Sequence, residues 1–366
     1  MVSSAATGYT TPLDRLRRAE EPRFGGKSAN LGELLSSEIP VPPGFAISTD
    51  AFALFLEENG IRERVVRSLR ALDPDDMSAL RRVSEELVAA VLSAPLPGEV
   101  VGEVERRYRK IAELSGEESP PVAVRSSAVG EDSEQATFAG QQKTHLWVRG
   151  VDDVCAAVRS CWASLYSPEA LSYRARMSAG GGEPAMGVAV QMMVDAEVAG
   201  VMFTCNPLNG DPSTVAVNAS WGLGEAVVAG EVTPDEYRVS KVTGEVLRRS
   251  VGCKHLEYRP DPGSAGVRAV EVEQARREVP CLDEACLRAL VEVARRVERH
   301  FGAPQDIEWA ISRGRELPES LYVLQSRPVT TAPRRPEAGK DLPRARSAIE
   351  LVMGTFGVVR DDEGRS

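Results

Sequence analysis

Two segments near the end of the chain alternate apolar and polar positions. Residues 305–309 and 321–328 carry β-branched and aromatic side chains between polar ones. This two-residue period predicts two β-strands. The stretch between them contains Gly314 and Pro318, which favour a hairpin loop.

The predicted hairpin collects four polar side chains. Side chains two positions apart share a face of a strand, so Asp306 lies beside Glu308 and Gln325 beside Arg327. If the strands pair symmetrically about the loop, Glu308 faces Gln325 and Asp306 faces Arg327, and a register shifted by two residues is the alternative. Two carboxylates, an amide oxygen and a guanidinium suit a magnesium ion and the phosphates that it carries.

Helical periodicity is clear in the first half of the chain. Apolar residues recur at helical spacing in 80–91 and 101–114, with charged residues on the other faces. Two amphipathic helices that cover one side of a core are therefore predicted. The remaining pattern predicts helices at 155–176 and 284–301, a Gly-rich loop or hinge at 178–184, and strands at 122–125, 188–194, 200–204 and 214–218.

Strands and helices alternate without a regular βαβ rhythm, which favours an α+β architecture in two lobes. The length of 366 residues allows two domains or one large two-lobed domain. We expect an N-terminal lobe at 1–185, a C-terminal lobe with the hairpin at 186–333, and a linker with a charged tail at 334–366.

The composition is that of a soluble globular protein, with 42% hydrophobic and 27% charged residues. A formal net charge of −10 argues against a nucleic-acid partner. Residues 1–18 lack the apolar core of a secretory signal, and no apolar run approaches the roughly 20 residues of a membrane span. Six cysteines without a CxxC pair indicate reduced, mostly buried thiols, with a zinc site as the less favoured alternative. We expect a cytoplasmic protein with no membrane partner.

Two Gly-rich segments fail the nucleotide-binding patterns that they partly match. Gly25-Gly26-Lys27 is preceded by Glu21 where a P-loop requires glycine, so the segment alone favours a surface turn with an exposed lysine. Its glycines would also allow close approach of an anion. In 221–225 the third glycine of a dinucleotide fingerprint would fall at Val227, which favours a turn between a strand and a helix.

The segments 122–128 and 137–142 bring an arginine and a small-residue loop together. Arg125 is predicted at the end of a strand, followed by backbone N–H groups suited to phosphate oxygens. An ion pair of Arg125 with Glu131 or Asp132 is an equally favoured alternative. The three histidines, His145, His255 and His300, lack metal-ligand spacing, and no GxSxG nucleophile motif is present.

Taken together, these segments resemble the ATP-binding domain of the phosphoenolpyruvate synthase and pyruvate phosphate dikinase family, which includes rifampin phosphotransferase. The resemblance covers about residues 24–331, with order and spacing preserved. The matching stretches are GGKSANLGEL, VPPGFAIST, VAVRSSAVGEDSEQATFAGQQ, GVAVQMMV, AGVMFT, GLGEAVVAGEVTPD, PQDIEW and LYVLQSRPVTT.

The resemblance implies an ATP-grasp-like fold with ATP and Mg²⁺ clamped between two lobes. It implies that Lys27, Arg125 and Arg327 act on the phosphates, and that Glu308 and Gln325 bind the metal with Asp306 beside them. It further implies that the phosphate loop is lined by Gly140 and Thr144, and that adenine is held by Gln191 and the backbone after it.

Two departures from the family bear on function. Met192 stands where the family usually has lysine after the hinge glutamine, which predicts an altered adenine pocket. None of the three histidines has the SHxA-like context of the family's phosphate carrier, and the chain is too short after its linker for that mobile domain. We therefore expect a phosphotransferase that passes a pyrophosphoryl or phosphoryl group from MgATP to a histidine on a separate domain or polypeptide.

That histidine protein would hand phosphate to a small acceptor, such as pyruvate or an antibiotic, which the sequence leaves open. Two alternatives remain. The chain could act directly on a small molecule as an ATP-grasp kinase, or it could be a non-catalytic module that binds nucleotide. A direct kinase yields ADP, whereas the family relay yields AMP.

Overall fold

A computed structural model describes residues 8–70, 76–130, 143–176, 185–263 and 266–329. The α-helices of this part are α1 (Glu21–Phe24), α2 (Gly26–Ser36), α3 (Thr49–Glu58), α4 (Ile61–Arg70), α5 (Met77–Ser93), α6 (Gly98–Ser115), α7 (Val151–Ala163), α8 (Pro168–Arg176), α9 (Glu225–Val228) and α10 (Glu284–Phe301). Short 3₁₀ turns lie at Leu13–Arg15, Arg18–Glu20, Ser164–Tyr166 and Gln274–Arg276.

The β-strands are β1 (Thr10–Pro12), β2 (Gly44–Ile47), β3 (Val122–Ala128), β4 (Thr144–Val148), β5 (Met186–Met192), β6 (Ala196–Phe203), β7 (Thr214–Trp221), β8 (Asp235–Ser240), β9 (Val246–Ser250), β10 (Leu256–Pro260), β11 (Val267–Glu271), β12 (Gln305–Ser312) and β13 (Leu321–Pro328). Helices and antiparallel strands occur together without a βαβ repeat, so the predicted α+β class is confirmed.

Contacts divide the chain into two compact units. Unit 1 is drawn from Met1–Glu33 and Pro43–Met193, and unit 2 from Leu34–Pro42 and Val194–Ser366. Strand β5 falls in unit 1 because it pairs with β2 and β3. The three domains expected from the sequence stay a prediction, because units defined by contacts need not coincide with ligand-binding lobes.

Unit 1 is built on a five-stranded sheet with the order β1-β2-β5-β3-β4, in which every pair is antiparallel. The amphipathic helices α5 and α6 match the two helices predicted from periodicity. Their apolar residues, Leu87 and Val104 among them, join one core with Phe52, Phe55 and Trp162. The rings of both phenylalanines lie close to Trp162, with centroids 5.2 and 5.1 Å from it.

Among the described residues, no single helix has the length and apolarity of a membrane span. Helices α5 and α6, bent by 67° at the break between them, pass that test of length and composition as a pair.

A tight turn joins α1 to α2 and packs directly on β3. Gly25 has φ +79° at this turn, a conformation that favours glycine. A Cβ atom added to Gly25 would lie 1.9 Å from the carbonyl oxygen of Ser127. Backbone therefore rests against backbone here, and only glycine permits the contact.

Unit 2 is built on a six-stranded sheet with the order β13-β12-β6-β7-β8-β9, again antiparallel throughout. Strands β10 and β11 form a separate two-stranded ribbon. Helix α10 packs against β12, and Ile307 and Trp309 on that strand are fully buried. The predicted glycine turn is confirmed, because β7 ends at Trp221 and α9 begins at Glu225, with Gly222 at φ +70° between them.

A buried ion pair ties the start of β8 to the segment before β10. Asp235 and Lys254 have no solvent exposure, and the Lys254 ammonium lies 2.5 Å from Asp235 Oδ1. The same carboxylate accepts hydrogen bonds from the backbone N–H groups of Gly252, at 3.0 Å, and Cys281, at 2.8 Å. Lys254 also donates to the Gly252 carbonyl at 2.9 Å. With these bonds the carboxylate is fully compensated inside the protein.

Replacing Gly25 should be far more costly than replacing another glycine of positive φ. Gly25→Ala should lower the free energy of unfolding by about 2–5 kcal/mol, because the backbone conformation and the contact with Ser127 both resist a Cβ. Gly60→Ala is the matched control, since Gly60 has φ +61° but would place its Cβ more than 4 Å from any heavy atom. Its cost should be only about 1–2 kcal/mol. Urea unfolding measures both, and equal losses would contradict the close packing of this turn.

Breaking the buried ion pair should destabilise the protein strongly. Lys254→Met leaves the Asp235 carboxylate buried without its counter-charge, which should cost about 3–5 kcal/mol of unfolding free energy. Lys110→Met removes a lysine from an exposed pair with Glu113 and should cost less than about 1 kcal/mol. Urea unfolding of both variants provides the comparison. Similar small losses in the two variants would show that Asp235 is compensated without Lys254.

Candidate functional site

The hairpin of β12 and β13 brings the four predicted polar side chains together. Glu308 lies opposite Gln325, and Asp306 lies opposite Arg327. The symmetric register predicted from the sequence is therefore confirmed. A β-bulge follows immediately, between Glu308 and Trp309, and the pairing then continues with its register shifted by one residue, from Trp309 opposite Val323 to Ile311 opposite Leu321.

Arg327 and Asp306 form a partly buried ion pair, with 2.9 Å between Arg327 Nε and Asp306 Oδ2. Burial nevertheless raises the pKa of Asp306 above its ordinary value, while Arg327 opposes the shift and neighbouring Glu308 adds to it. The ionised form of Asp306 is therefore energetically unfavourable unless further positive charge lies nearby.

Two oxygen atoms of this patch are buried without a hydrogen-bond partner. They are Asp306 Oδ1 and Gln325 Oε1, on side chains that are 5% and 8% exposed. Unpartnered buried acceptors are unfavourable by themselves. A hard divalent cation with oxygen ligands would satisfy both, so the donor set fits Mg²⁺.

The described residues contain no group of three or more His, Cys, Asp and Glu side chains that could hold a metal. Asp306 and Glu308 supply two carboxylates, and the third ligand assigned from the sequence, Gln325, is an amide. Magnesium sites commonly use few protein ligands and complete their shell with water and phosphate oxygens. The assignment of these three residues to a metal stays a prediction.

In unit 1, Arg125 lies in the interior of β3 and not at its end. The strand continues through Ala128, and Ser126 donates its backbone N–H to the Lys143 carbonyl at 3.0 Å. The predicted end of the strand at 125 is therefore wrong. The small residues after Arg125 extend the sheet because neighbouring chain segments accept their hydrogen bonds, which the sequence pattern alone does not show.

The predicted site residues of unit 1 share one face of its sheet. Residues directly opposite each other in an antiparallel pair lie on the same face. Thr144 is opposite Arg125, and Gln191 is opposite Ala123, two residues before Arg125. Thr144 is exposed and Gln191 is buried. Arg125, Thr144 and Gln191 are thus brought together on one face by the pairing of β3 with β4 and β5.

The turn that carries Lys27 contacts the same face. Ser127, two residues after Arg125, accepts a hydrogen bond from the backbone N–H of Ser28 at 3.1 Å, and the two hydroxyl oxygens are 3.2 Å apart. Lys27 stands at the start of α2 and is only 8% exposed. The surface turn with an exposed lysine, favoured by the segment alone, is therefore wrong, because the glycines allow the turn to pack closely on β3.

Gly140 lies outside the described residues, as do the proposed ion-pair partners Glu131 and Asp132. Met192 is half-buried at the end of β5, and its backbone N–H donates to the Pro43 carbonyl at 2.8 Å. Its effect on adenine binding stays a prediction.

The three histidines are separated in the fold. His145 lies on β4 opposite Val124, where burial and the nearby Lys143 lower its pKa. His300 lies in the last turn of α10, with Nδ1 2.6 Å from the Ser37 hydroxyl. His255 is exposed just before β10. His145 and His300 thus belong to a strand and a helix, whereas His255 lies in the loop before β10.

Sequence reasoning missed Asn218 on β7. This residue is 2% exposed, and its side-chain Nδ2 is buried without an acceptor. The available signal was a polar residue inside an otherwise buried strand, since all eight residues of β7 are buried. Its connection to the hairpin depends on the strand order, which the sequence pattern did not predict.

Residues 21–346 match the family described as pyruvate phosphate dikinase, AMP/ATP-binding domain. A protein named probable phosphoenolpyruvate synthase from Methanothermobacter thermautotrophicus is 42% identical over 323 residues, covering 88% of this chain and 46% of that protein. Phosphoenolpyruvate synthase from Pyrococcus furiosus is 35% identical over 384 residues, covering 94% of this chain and 46% of that protein.

Among solved structures, D-alanyl-alanine synthetase A from Vibrio cholerae aligns at 12% identity with a TM-score of 0.30, covering 85% of this chain and 59% of that one. That score is too low to support a conclusion. The sequence matches are decisive, although the chain spans about half the length of these two curated relatives. With a family match over most of its residues, the chain belongs to the family of the pyruvate phosphate dikinase AMP/ATP-binding domain.

Proposed function

We propose that the chain binds MgATP and transfers a pyrophosphoryl or phosphoryl group to a histidine on a separate domain or polypeptide. The observation that carries the proposal is the register of β12 and β13, which sets Asp306, Glu308, Gln325 and Arg327 on one patch. The two unpartnered oxygens in that patch fit a divalent cation. Membership in a family of AMP/ATP-binding domains supports ATP as the nucleotide.

In unit 2, Glu308 and Gln325 would hold Mg²⁺, with Asp306 beside them. When bound, the ion would neutralise phosphate charge and fix the orientation of the phosphate chain. Arg327 would reach a phosphate oxygen while its Nε keeps Asp306 in place at 2.9 Å. The ion pair would thus orient the guanidinium toward the ligand.

In unit 1, Lys27 and Arg125 would donate to phosphate oxygens from the shared face of the sheet. Both lie near Ser127, which binds the turn of Lys27 and follows Arg125 by two residues. Phosphoryl transfer depends chiefly on positioning and on neutralising charge that develops on phosphate oxygens. Within unit 1, Lys27 and Arg125 would contribute to that neutralisation.

The proposed transfer exchanges one phosphorus bond for another. A ring nitrogen of the carrier histidine would form a bond to phosphorus as the bond between that phosphorus and the nucleotide oxygen breaks, which releases AMP when a pyrophosphoryl group moves and ADP when a phosphoryl group moves. His145 and His300 are held in a strand and a helix by the contacts described above. A carrier must move between two sites, so we place it in a separate domain. Pyruvate or another small molecule would receive phosphate from that domain.

Nucleotide binding should require Mg²⁺ and the half-buried arginines Arg125 and Arg327. Arg125→Ala or Arg327→Ala should weaken MgATP binding by about 10- to 100-fold, because each removes charge-assisted hydrogen bonds to phosphate. Arg313→Ala is the control, since Arg313 follows β12 directly and is half-exposed near Asp195. Titration calorimetry with and without Mg²⁺ gives the affinities. Unchanged affinity in both site variants would remove the phosphate assignment.

The chain alone should turn over ATP slowly or not at all. A phosphohistidine domain from a phosphoenolpyruvate synthase, added in trans, should produce AMP and a labelled histidine, because the acceptor nitrogen is then present. ATP labelled at both its β- and γ-phosphates allows products and protein-bound label to be followed together. Rapid ADP formation with pyruvate and no added domain would contradict the relay and favour a direct kinase.

A further inference from the structure

A row of side chains crosses four strands of the unit 2 sheet. Gln325 on β13 is opposite Glu308 on β12, Glu308 is opposite Val201 on β6, and Val201 is opposite Asn218 on β7. Directly opposed residues of antiparallel strands share a face. Asn218 therefore faces the same side of the sheet as the proposed metal ligands.

Asn218 is a buried polar residue with an unused donor. Its side chain is 2% exposed, and Nδ2 has no hydrogen-bond partner. Its neighbour on one side, Val201, belongs to an apolar cluster with Phe203 and Ala216 and has no side-chain acceptor. Its neighbour on the other side, Glu236 on β8, has a carboxylate, but Nδ2 makes no hydrogen bond to it. A buried N–H without an acceptor is unfavourable by about 1–3 kcal/mol, so an asparagine here needs a reason outside the stability of the unliganded fold.

The two ends of the row are complementary in polarity. At the β12–β13 end, the unpartnered atoms Asp306 Oδ1 and Gln325 Oε1 are acceptors, which suit a cation. At the β7 end, the unpartnered atom is a donor, which suits an anionic oxygen. Two strand spacings of about 4.8 Å put the Asn218 backbone roughly 10 Å from that of Glu308. A metal-bound polyphosphate presents a cation and anionic oxygens over this kind of distance.

We propose that Asn218 is a further substrate-binding residue, whose side-chain N–H donates to a non-bridging oxygen of the polyphosphate chain of MgATP. The inference deepens the proposed function and rests on it. Asn218 would hold the end of the chain away from the metal ligands Glu308 and Gln325. The oxygen that Asn218 contacts would belong to the β- or γ-phosphate. The reason is that the same row carries the residues assigned to the metal, which would bind the polyphosphate chain.

Other buried polar side chains on the same face of β7 provide a control, because a general effect of unpartnered polar groups on this strand would appear in them as well. Ser220 Oγ and Thr214 Oγ1 are also buried without a partner, and their even positions place them on the face of Asn218. Thr214 is the more distant of the two from Asn218. It lies four residues away, about 13 Å along the strand, and outside the row of Glu308. Thr214 is therefore a matched control for burying an unpartnered polar group on this strand.

The test replaces Asn218 by a residue of similar size without a donor. Asn218→Leu should weaken MgATP binding by about 10- to 100-fold, the range for a hydrogen bond to a charged group. Without nucleotide, its melting temperature should equal or exceed that of the unchanged chain, because an unsatisfied buried donor is removed. AMP affinity should stay the same, because AMP lacks the phosphates in question. Thr214→Val should leave the affinities for both nucleotides unchanged.

Titration calorimetry and thermal melting of the full chain give these quantities. Unchanged MgATP affinity in Asn218→Leu would overturn the inference, and an equal loss for AMP would overturn the polyphosphate assignment. Asn218→Ala, which also lacks a side-chain donor, serves as a second variant if the leucine disturbs folding, and the same loss of MgATP affinity is expected of it. Absence of MgATP binding in the unchanged chain would instead refute the proposed function, which distinguishes the two failures.

Discussion

The pairing of β12 with β13 is the constraint on which the candidate site depends. A slip of one residue would turn every side chain of a strand to the opposite face. Ile307 and Trp309 resist such a slip because they are fully buried beside a packed helix. The same alternation that buries these two apolar residues holds Asp306 and Glu308 on the other face. The polar patch is thus positioned by the hydrophobic core of unit 2.

Features set by nearby residues could be predicted from the sequence. The helices α5 and α6 follow from apolar spacing, and the β12–β13 register as far as Glu308 follows from symmetric pairing about the loop that joins the two strands. Family resemblance added Gln191 and Thr144, whose roles had no local signal. The pairing of β3 with β4 and β5 gives them a shared face with Arg125, which is consistent with those roles without testing them.

Features that depend on contacts between distant residues could not be predicted from the sequence. The end of β3 depends on hydrogen bonds to Lys143 in a segment that follows a long connection. The burial of Lys27 depends on contact between its turn and Ser127, 100 residues further on. Asn218 could be related to the hairpin only through the strand order β12-β6-β7, in which strands far apart in the chain become neighbours. Long-range pairing of this kind has no counterpart in local periodicity.

The buried Lys254 can also be used to detect local unfolding of unit 2, because chemical modification of its amine requires that this region opens. Its amine has no solvent exposure and is paired with Asp235, so a water-borne acylating reagent cannot reach it in the folded state. Labelling at Lys254 then follows transient local unfolding, in the same way as the exchange of a protected amide hydrogen. Lys110 at the surface of unit 1 reacts without any opening. The ratio of the two labelling rates measures how often this region of unit 2 opens.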